Sequence, residues 1–287
     1  MTTGVRTPAV AGLFYDDDPD DLRASVDGLL DDARRRVPPA PEEDPATVRA
    51  LLAPHAGYVY SGPTAAAGYL RVEACRDRIS RVVLLGPVHR VPVRGLAHPE
   101  AAAFATPWGE VPVEPLSPEL RASFPQLLDS RLAHAQEHSL EVHVPFLQRV
   151  LGEFTLLPLA VGGVGSKAVA DVLDAVTSGA DDEATMVVVS SDLSHYLPYD
   201  DARRVDAGTL AQIEALDARI LPEQACGAAP LDGALTWARR HGLRPRIVEA
   251  CNSGDTAGDR RRVVGYASAT FSTGASSSES ATTEVGA

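Results

Sequence analysis

The sequence predicts a single α/β domain, a layered sandwich around a mostly parallel central sheet. Apolar runs rich in β-branched residues alternate with segments of helical period along the chain. At 287 residues and 45% hydrophobic content, the chain can bury one full core, and no internal linker divides it. Four of the apolar runs end in residues that metals favour, as expected where strand ends line up at one edge of an open sheet.

Residues 5–15 read as a short extended entry. Asp18 or Asp20 can cap a helix to about Arg36, with Pro19 in its first turn and Leu22, Val26, Leu29 and Leu30 at helical spacing. Residues 37–47 are rich in proline and acids and read as a loop. A strand at 48–53 leads to an Ala-rich helix from about Pro63 to Cys75, and the next strand is 81–85. Residues 90–117, rich in Pro and Gly, suggest a hairpin insertion built from pieces such as Val93–Ala97 and Glu110–Val113. A helix is expected over 118–129. Residues 138–151 keep a helical face of Leu140, Val144, Leu147 and Leu151, with a kink or break expected at Pro145. Phe154–Val161 is a strand, Ser166 is the expected cap of a helix to about Ser178, and 185–190 is a strand. Helices follow at 201–215 and 230–241, the second stopped by Gly242. The last strands are 245–250 and 262–271. The domain therefore spans 1–271, and the Ser/Thr/Gly-rich end, 272–287, is expected to be disordered.

Bulk properties exclude several classes. A formal net charge of −13 argues against nucleic acid and anionic membrane as partners. Acidic patches such as Asp16-Asp17-Asp18, Asp31-Asp32 and Asp181-Asp182-Glu183 read as solvated surface. Three cysteines in a long chain do not make a disulfide framework, so a reducing cytoplasm is the expected location. No run is long enough for a membrane helix, and the first residues lack the apolar core of a signal peptide.

The candidate chemistry sits where strands end. Leu51-Leu52-Ala53 leads through Pro54 to His55, with Tyr58 and Tyr60 close by. Val82-Val83-Leu84-Leu85 leads to His89. Met186-Val187-Val188-Val189 leads to Asp192 and His195, and Ile247-Val248-Glu249-Ala250 leads to Cys251. If those runs share a parallel sheet, imidazoles, a carboxylate and a thiol meet at one crevice. Asp192 could orient an imidazole or bind metal, or simply cap a helix; His195 titrates in the range of a general acid or base. A thiolate at Cys251 would favour iron, copper or zinc over magnesium or calcium. Cys75 and Cys226 read as packing residues. In Glu137-His138-Ser139-Leu140-Glu141-Val142-His143 the spacing does not fit a zincin helix; the cluster reads as a solvated helix start or as carboxylates near a substrate. No serine-nucleophile elbow or phosphate-binding loop is present.

Six segments taken together resemble the Memo family, whose prokaryotic members are called AmmeMemoRadiSam system protein B. They are Val10-Ala11-Gly12-Leu13-Phe14-Tyr15, Pro54-His55-Ala56-Gly57-Tyr58, Gly86-Pro87-Val88-His89, Glu137-His138-Ser139-Leu140-Glu141, Ser191-Asp192-Leu193-Ser194-His195-Tyr196 and Val264-Gly265-Tyr266-Ala267. The resemblance implies a fold similar to class III extradiol dioxygenases. It implies iron or copper at His55, His89 and Cys251, with Asp192 and His195 beside the site. It also implies association with a radical SAM protein and an AMMECR-type protein. Those dioxygenases hold iron with two histidines and a carboxylate; here the third position reads as Cys251, with Asp192 as the substitute.

The function expected from all this is a cytoplasmic metal-binding redox protein. His55, His89 and Cys251 hold iron or copper, Asp192 and His195 act catalytically, and Tyr58, Glu137, His138 and Glu141 meet a small-molecule or peptide ligand. Two other readings stand beside it: a non-catalytic module that binds a partner or phosphopeptide in the same crevice, and a zinc hydrolase.

Overall fold

A computed structural model of the chain describes residues 4–38, 47–179 and 182–274. In chain order the elements are β1 (Val5–Arg6), α1 (Pro19–Arg36), β2 (Val48–Ala53), α2 (Tyr58–Glu73), β3 (Arg81–Pro87), β4 (Leu96–His98), β5 (Ala103–Thr106), β6 (Gly109–Pro112), α3 (Pro118–Ser123), β7 (Leu127–Asp129), α4 (Arg131–Ala135) and α5 (His143–Leu151). Then come β8 (Thr155–Val161), α6 (Ser166–Thr177), β9 (Thr185–Ser190), β10 (His195–Leu197), α7 (Tyr199–Glu214), α8 (Ala228–Arg240), β11 (Arg244–Asn252) and β12 (Val263–Ser272).

One α/β domain results, built on a nine-stranded sheet of order β10-β12-β2-β9-β3-β8-β4-β7, with β11 paired to β12. The sheet is mixed rather than mostly parallel. Its centre, β2-β9-β3-β8, is parallel, but β12 joins β2 and β4 joins β8 antiparallel. The central strands are near-continuous apolar runs because both faces are covered. Side chains alternate between two cores: Val82, Leu84, Met186 and Val188 face one, and Val83, Leu85, Val187 and Val189 face the other. Helices α1, α2 and α5 close the first core, and α6 and α8 the second. Of the expected hairpin insertion, Glu110–Val113 falls on β6, which pairs with β5 and joins β1 in a separate three-stranded sheet, whereas Val93–Ala97 leads into β4 of the main sheet.

Several boundaries differ from the sequence expectation for identifiable reasons. Asp18, not Asp20, caps α1 by accepting from the Asp20 and Asp21 N–H groups. Helix α2 starts at Tyr58, five residues before Pro63, because the Tyr58 N–H is held by the Phe14 carbonyl at 2.8 Å. The helix expected over 118–129 stops at Ser123, since Phe124 precedes Pro125 and is steered away from helix; Leu127–Asp129 then pairs with β4 as a strand. Pro145 breaks nothing: α5 begins two residues before it, so the proline occupies a first turn where its missing N–H is harmless. Gly165 occupies the cap position of α6, and Ser166 is its first helical residue. Gly242, at φ 62°, follows α8 in the left-handed conformation that the sequence predicts.

Ser272 closes β12 rather than opening a tail, and the Thr273 N–H bonds to the Thr47 carbonyl. The expected disorder of 275–287, most of the 37–47 loop and Asp181 lie outside the described residues. Among the described residues, no helix is long and apolar enough to cross a membrane.

Candidate metal centre

The parallel centre of the sheet sets the site. Ala53 pairs with Ser190 and Leu85 with Val189, so β2, β9 and β3 end side by side. His55, Asp192 and His89 leave those ends at the same edge. Gly86 lets a fourth segment reach it: a Cβ there would stand 2.9 Å from Ser139 Oγ and from Leu140 Cδ2, so only glycine allows the 137–140 turn to lie on β3.

Among the described residues, His55, His89 and His138 form the one group whose ligand atoms could share an ion, all within 4.8 Å of one another. His89 and His138 stack with ring centroids 4.6 Å apart, and His55 meets them edge-on at 5.2 and 5.5 Å.

Two of these rings are aimed by their neighbours. Ser190 Oγ donates to the Ser139 carbonyl at 2.6 Å, so it can only accept from His55 Nδ1, also at 2.6 Å. The His55 proton therefore sits on Nδ1 and leaves a lone pair on Nε2. Glu137 does the same for His89: Oε1 lies 2.8 Å from His89 Nδ1, and Oε2 accepts the His89 backbone N–H at 2.5 Å. Oε1 also accepts from the N–H groups of His138 and Ser139. Burial raises the Glu137 carboxyl, but the bonds from His89 and Ser139 outweigh it and hold it at about 2. An ionised carboxylate behind an imidazole is the usual outer support of a metal-binding histidine.

His55 and His138 are held neutral, as ligation requires. Burial, then the neighbouring His89, His138, His143 and His195, push His55 well below the ordinary imidazole range. Burial and His89 bring His138 to about 4. His195 is lowered chiefly by burial, and its Nδ1 donates to the Leu193 carbonyl at 2.8 Å, which leaves Nε2 with a lone pair. Asp192 is buried and pushed up to about 7 by desolvation, against the N–H groups of His55 and Ala56; its Oδ1 accepts the His55 N–H at 2.8 Å.

The sulfur at this site is not the expected one. Cys251, on β11, pairs with Tyr266 of β12, and β12 stands between β11 and β2. Two strand spacings, about 10 Å, separate it from the His55 strand, on the side away from β9 and β3, and its Sγ faces Thr64 Oγ1 at 3.0 Å. Cys226, read from sequence as packing, instead places Sγ 3.2 Å from His55 Nε2. Burial raises its thiol strongly, so the neutral S–H donates to the imidazole lone pair. Gly227 makes this approach possible: a Cβ there would stand 2.6 Å from Ser191 Cβ. The available signal was Cys-Gly at the head of a helix, a pattern that lets a thiol and a backbone approach a strand end together.

The other expected ligand contacts also redistribute. His138 belongs to the imidazole group. Glu137 supports His89. Glu141 is turned the other way: it pairs with Arg6 and accepts from the Ala9 N–H, the Val10 N–H and the Tyr15 hydroxyl. Tyr58 donates to the Val142 carbonyl at 2.7 Å and packs on Phe146. Phe14, brought in by the same N-terminal segment, packs on His138 at 4.9 Å and walls the site.

A family model described as Memo-like protein matches residues 6–270 of the chain. A MEMO1 family protein of Sulfolobus acidocaldarius is 36% identical, over 93% of this chain and 99% of its own length. One from Aquifex aeolicus is 35% identical over 91% and 97%, and one from Methanopyrus kandleri 34% over 94% and 99%. The solved structure of an uncharacterized protein from Escherichia coli K12 superposes with a TM-score of 0.50 at 15% identity, covering 78% of this chain and 99% of that one. That last likeness is one of fold alone.

Proposed function

The chain belongs to the Memo-like protein family, and from that premise we propose that it is a metal-binding redox protein that holds iron or copper in a dioxygenase-like crevice. The observation that carries this reading is the group His55, His89 and His138, with ligand atoms within 4.8 Å and the first two rings aimed by Ser190 and Glu137. The donor set fits a transition ion. Imidazole suits iron, copper and zinc, and the sulfur of Cys226 beside His55 adds a soft donor that magnesium or calcium would not use.

When bound, iron or copper would supply one-electron exchange and Lewis acidity at this edge of the sheet. The rest falls to the chain. Glu137 and Ser190 fix the Nδ1 protons of His89 and His55 and leave their outer nitrogens without a ring proton. His195 Nε2 can accept a proton from a bound acid, since its Nδ1 is committed to Leu193. Asp192, raised to about 7, can carry a proton near neutrality while holding the His55 backbone. Phe14 covers the His138 ring and excludes water from that side.

Element-resolved analysis of anaerobically purified protein tests this. The expected result is about one equivalent of iron or copper per chain, falling below about a tenth in His55→Ala and His89→Ala. Unchanged metal content in both variants overturns the proposal. Zinc alone, lost on chelation together with a hydrolytic activity, would replace the redox reading with a hydrolase.

A further inference from the structure

A second feature lies on the reverse of the wall that Phe14 makes. The N-terminal segment, one face of α1 and the start of α2 enclose an open cleft of about 570 Å³. Its flanks are apolar and exposed: Leu13 is 80% and Val59 65% accessible. Its floor is small, with Ala24, Ser25 and Gly28 on one face of α1, and a Cβ built at Gly28 meets nothing within 4 Å. Asp16 and Asp17 line one end, exposed, and neither makes an ion pair among the described residues. Asp32, also in the cleft, is by contrast neutralised by Arg35.

This cleft is firmly built. Glu141 fixes the segment that forms it through the Ala9 and Val10 N–H groups and the Tyr15 hydroxyl, and the Phe14 carbonyl takes the Tyr58 N–H. Large side chains held exposed on an anchored backbone mark a surface that gains from being covered. The charge pattern selects the occupant. An apolar cleft with two uncompensated carboxylates at one end complements a segment bearing bulky aliphatic side chains next to arginine or lysine, and it repels acidic segments.

We propose that this cleft is a docking site for a segment of another protein that is basic and aliphatic, with aliphatic side chains against Leu13, Val59 and the Gly28 opening and a cation on Asp16 and Asp17. The proposal does not depend on a metal, since none of these residues belongs to the imidazole group.

The test is fluorescence anisotropy on the full chain at about 150 mM salt, where long-range attraction is screened. The probes are a labelled synthetic peptide alternating leucine and arginine pairs and its counterpart with glutamate for arginine. The basic peptide should bind at least about tenfold more tightly than the acidic one. Leu13→Ser with Val59→Ser should weaken it about tenfold or more, and Asp16→Asn with Asp17→Asn about fivefold. A control pair outside the cleft, Asp200→Asn with Asp201→Asn, should bind as the parent does. Leu13 and Val59 are exposed, so these variants should fold, and matching denaturation midpoints check that. Equal binding by the cleft variants, or equal loss in the control pair, overturns the proposal by reducing it to general charge attraction. Sedimentation showing a dimer of the parent that Leu13→Ser dissolves would also overturn it, assigning the cleft to a second copy.

Discussion

Glu137 and Glu141 stand four residues apart in one turn, both about 1% exposed, and they do different work. Glu137 faces the imidazoles, taking both the ring and the backbone of His89. Glu141 faces away and ties residues 6–15 to the body of the molecule through Arg6, two backbone N–H groups and a tyrosine hydroxyl. Burial alone does not identify a functional carboxylate; the partners do. One acid sets the direction of a ligand, and the other holds the wall that covers it.

The largest effect should come from breaking the structural half. Glu141→Ala leaves the Arg6 guanidinium buried without a counter-charge, with three further donors unmatched. Its expected cost is about 3–5 kcal/mol of unfolding free energy, read by urea denaturation. Because Phe14 and Tyr15 belong to the released segment, access to the imidazoles should increase as well. If Glu141→Ala unfolds at the parent midpoint, the assignment of this acid to the wall fails.

The functional half should respond in the opposite currency. Glu137→Gln retains the volume but loses the charge that orients His89. Metal affinity should fall about 10–100-fold by competition with a chelator, while the fold survives to a greater degree than in Glu141→Ala. An affinity within about twofold of the parent would mean that the acid behind His89 is only packing.

Much of this was legible in the sequence, and what was not has physical reasons. Apolar runs ending in His55, His89 and Asp192 located the right edge, because parallel strands buried on both faces reveal themselves by composition. Antiparallel additions do not: β11 also runs toward that edge and also ends in a good ligand, yet β12 keeps it two strands away. The same run-then-ligand pattern therefore named Cys251 correctly as a strand-end residue and wrongly as a neighbour of His55. Cys226 follows no strand and for that reason reads as a packing residue. Glu137 and Glu141 could not be told apart because a residue pattern does not say to which side of a turn each side chain points, and Arg6, the partner that decides it, lies 135 positions from Glu141.

Acid should separate the two regions further. Burial holds His134 at about 4 and His143 at about 3, whereas an exposed imidazole titrates at 6.5. The unfolded chain thus binds more protons below 6.5, so their contribution to stability is complete above 6.5 and is lost as pH falls toward 4 and 3. Glu137, held at about 2 against an ordinary 4.5, loses its contribution only between 4.5 and 2. The imidazole contribution should therefore begin to fall near pH 6, before Glu137 is protonated, and His134→Gln should flatten that first limb of the urea midpoints. Because Asp192, raised to about 7, acts with the opposite sign over the same range, the variant is compared with the parent: identical pH 7-to-5 profiles in the two would show that burial does not hold His134 neutral.

The smallest expected change makes the finest distinction, that between the two thiols. Cys251→Ser keeps a hydrogen-bonding partner for Thr64 at a half-buried position. Its effect on stability should stay within about 1 kcal/mol, and its metal content should match the parent. Cys226→Ser exchanges a soft sulfur for a hard oxygen 3.2 Å from His55 Nε2. It should leave stability similarly untouched and yet weaken retention of copper relative to zinc, and it should remove any sulfur-to-metal charge-transfer absorption. The pair works as its own control, since both substitutions are the same chemical change at two places. Should Cys251→Ser alter the metal spectrum and Cys226→Ser leave it intact, the sheet order that sets Cys251 apart would be the part of this account to abandon.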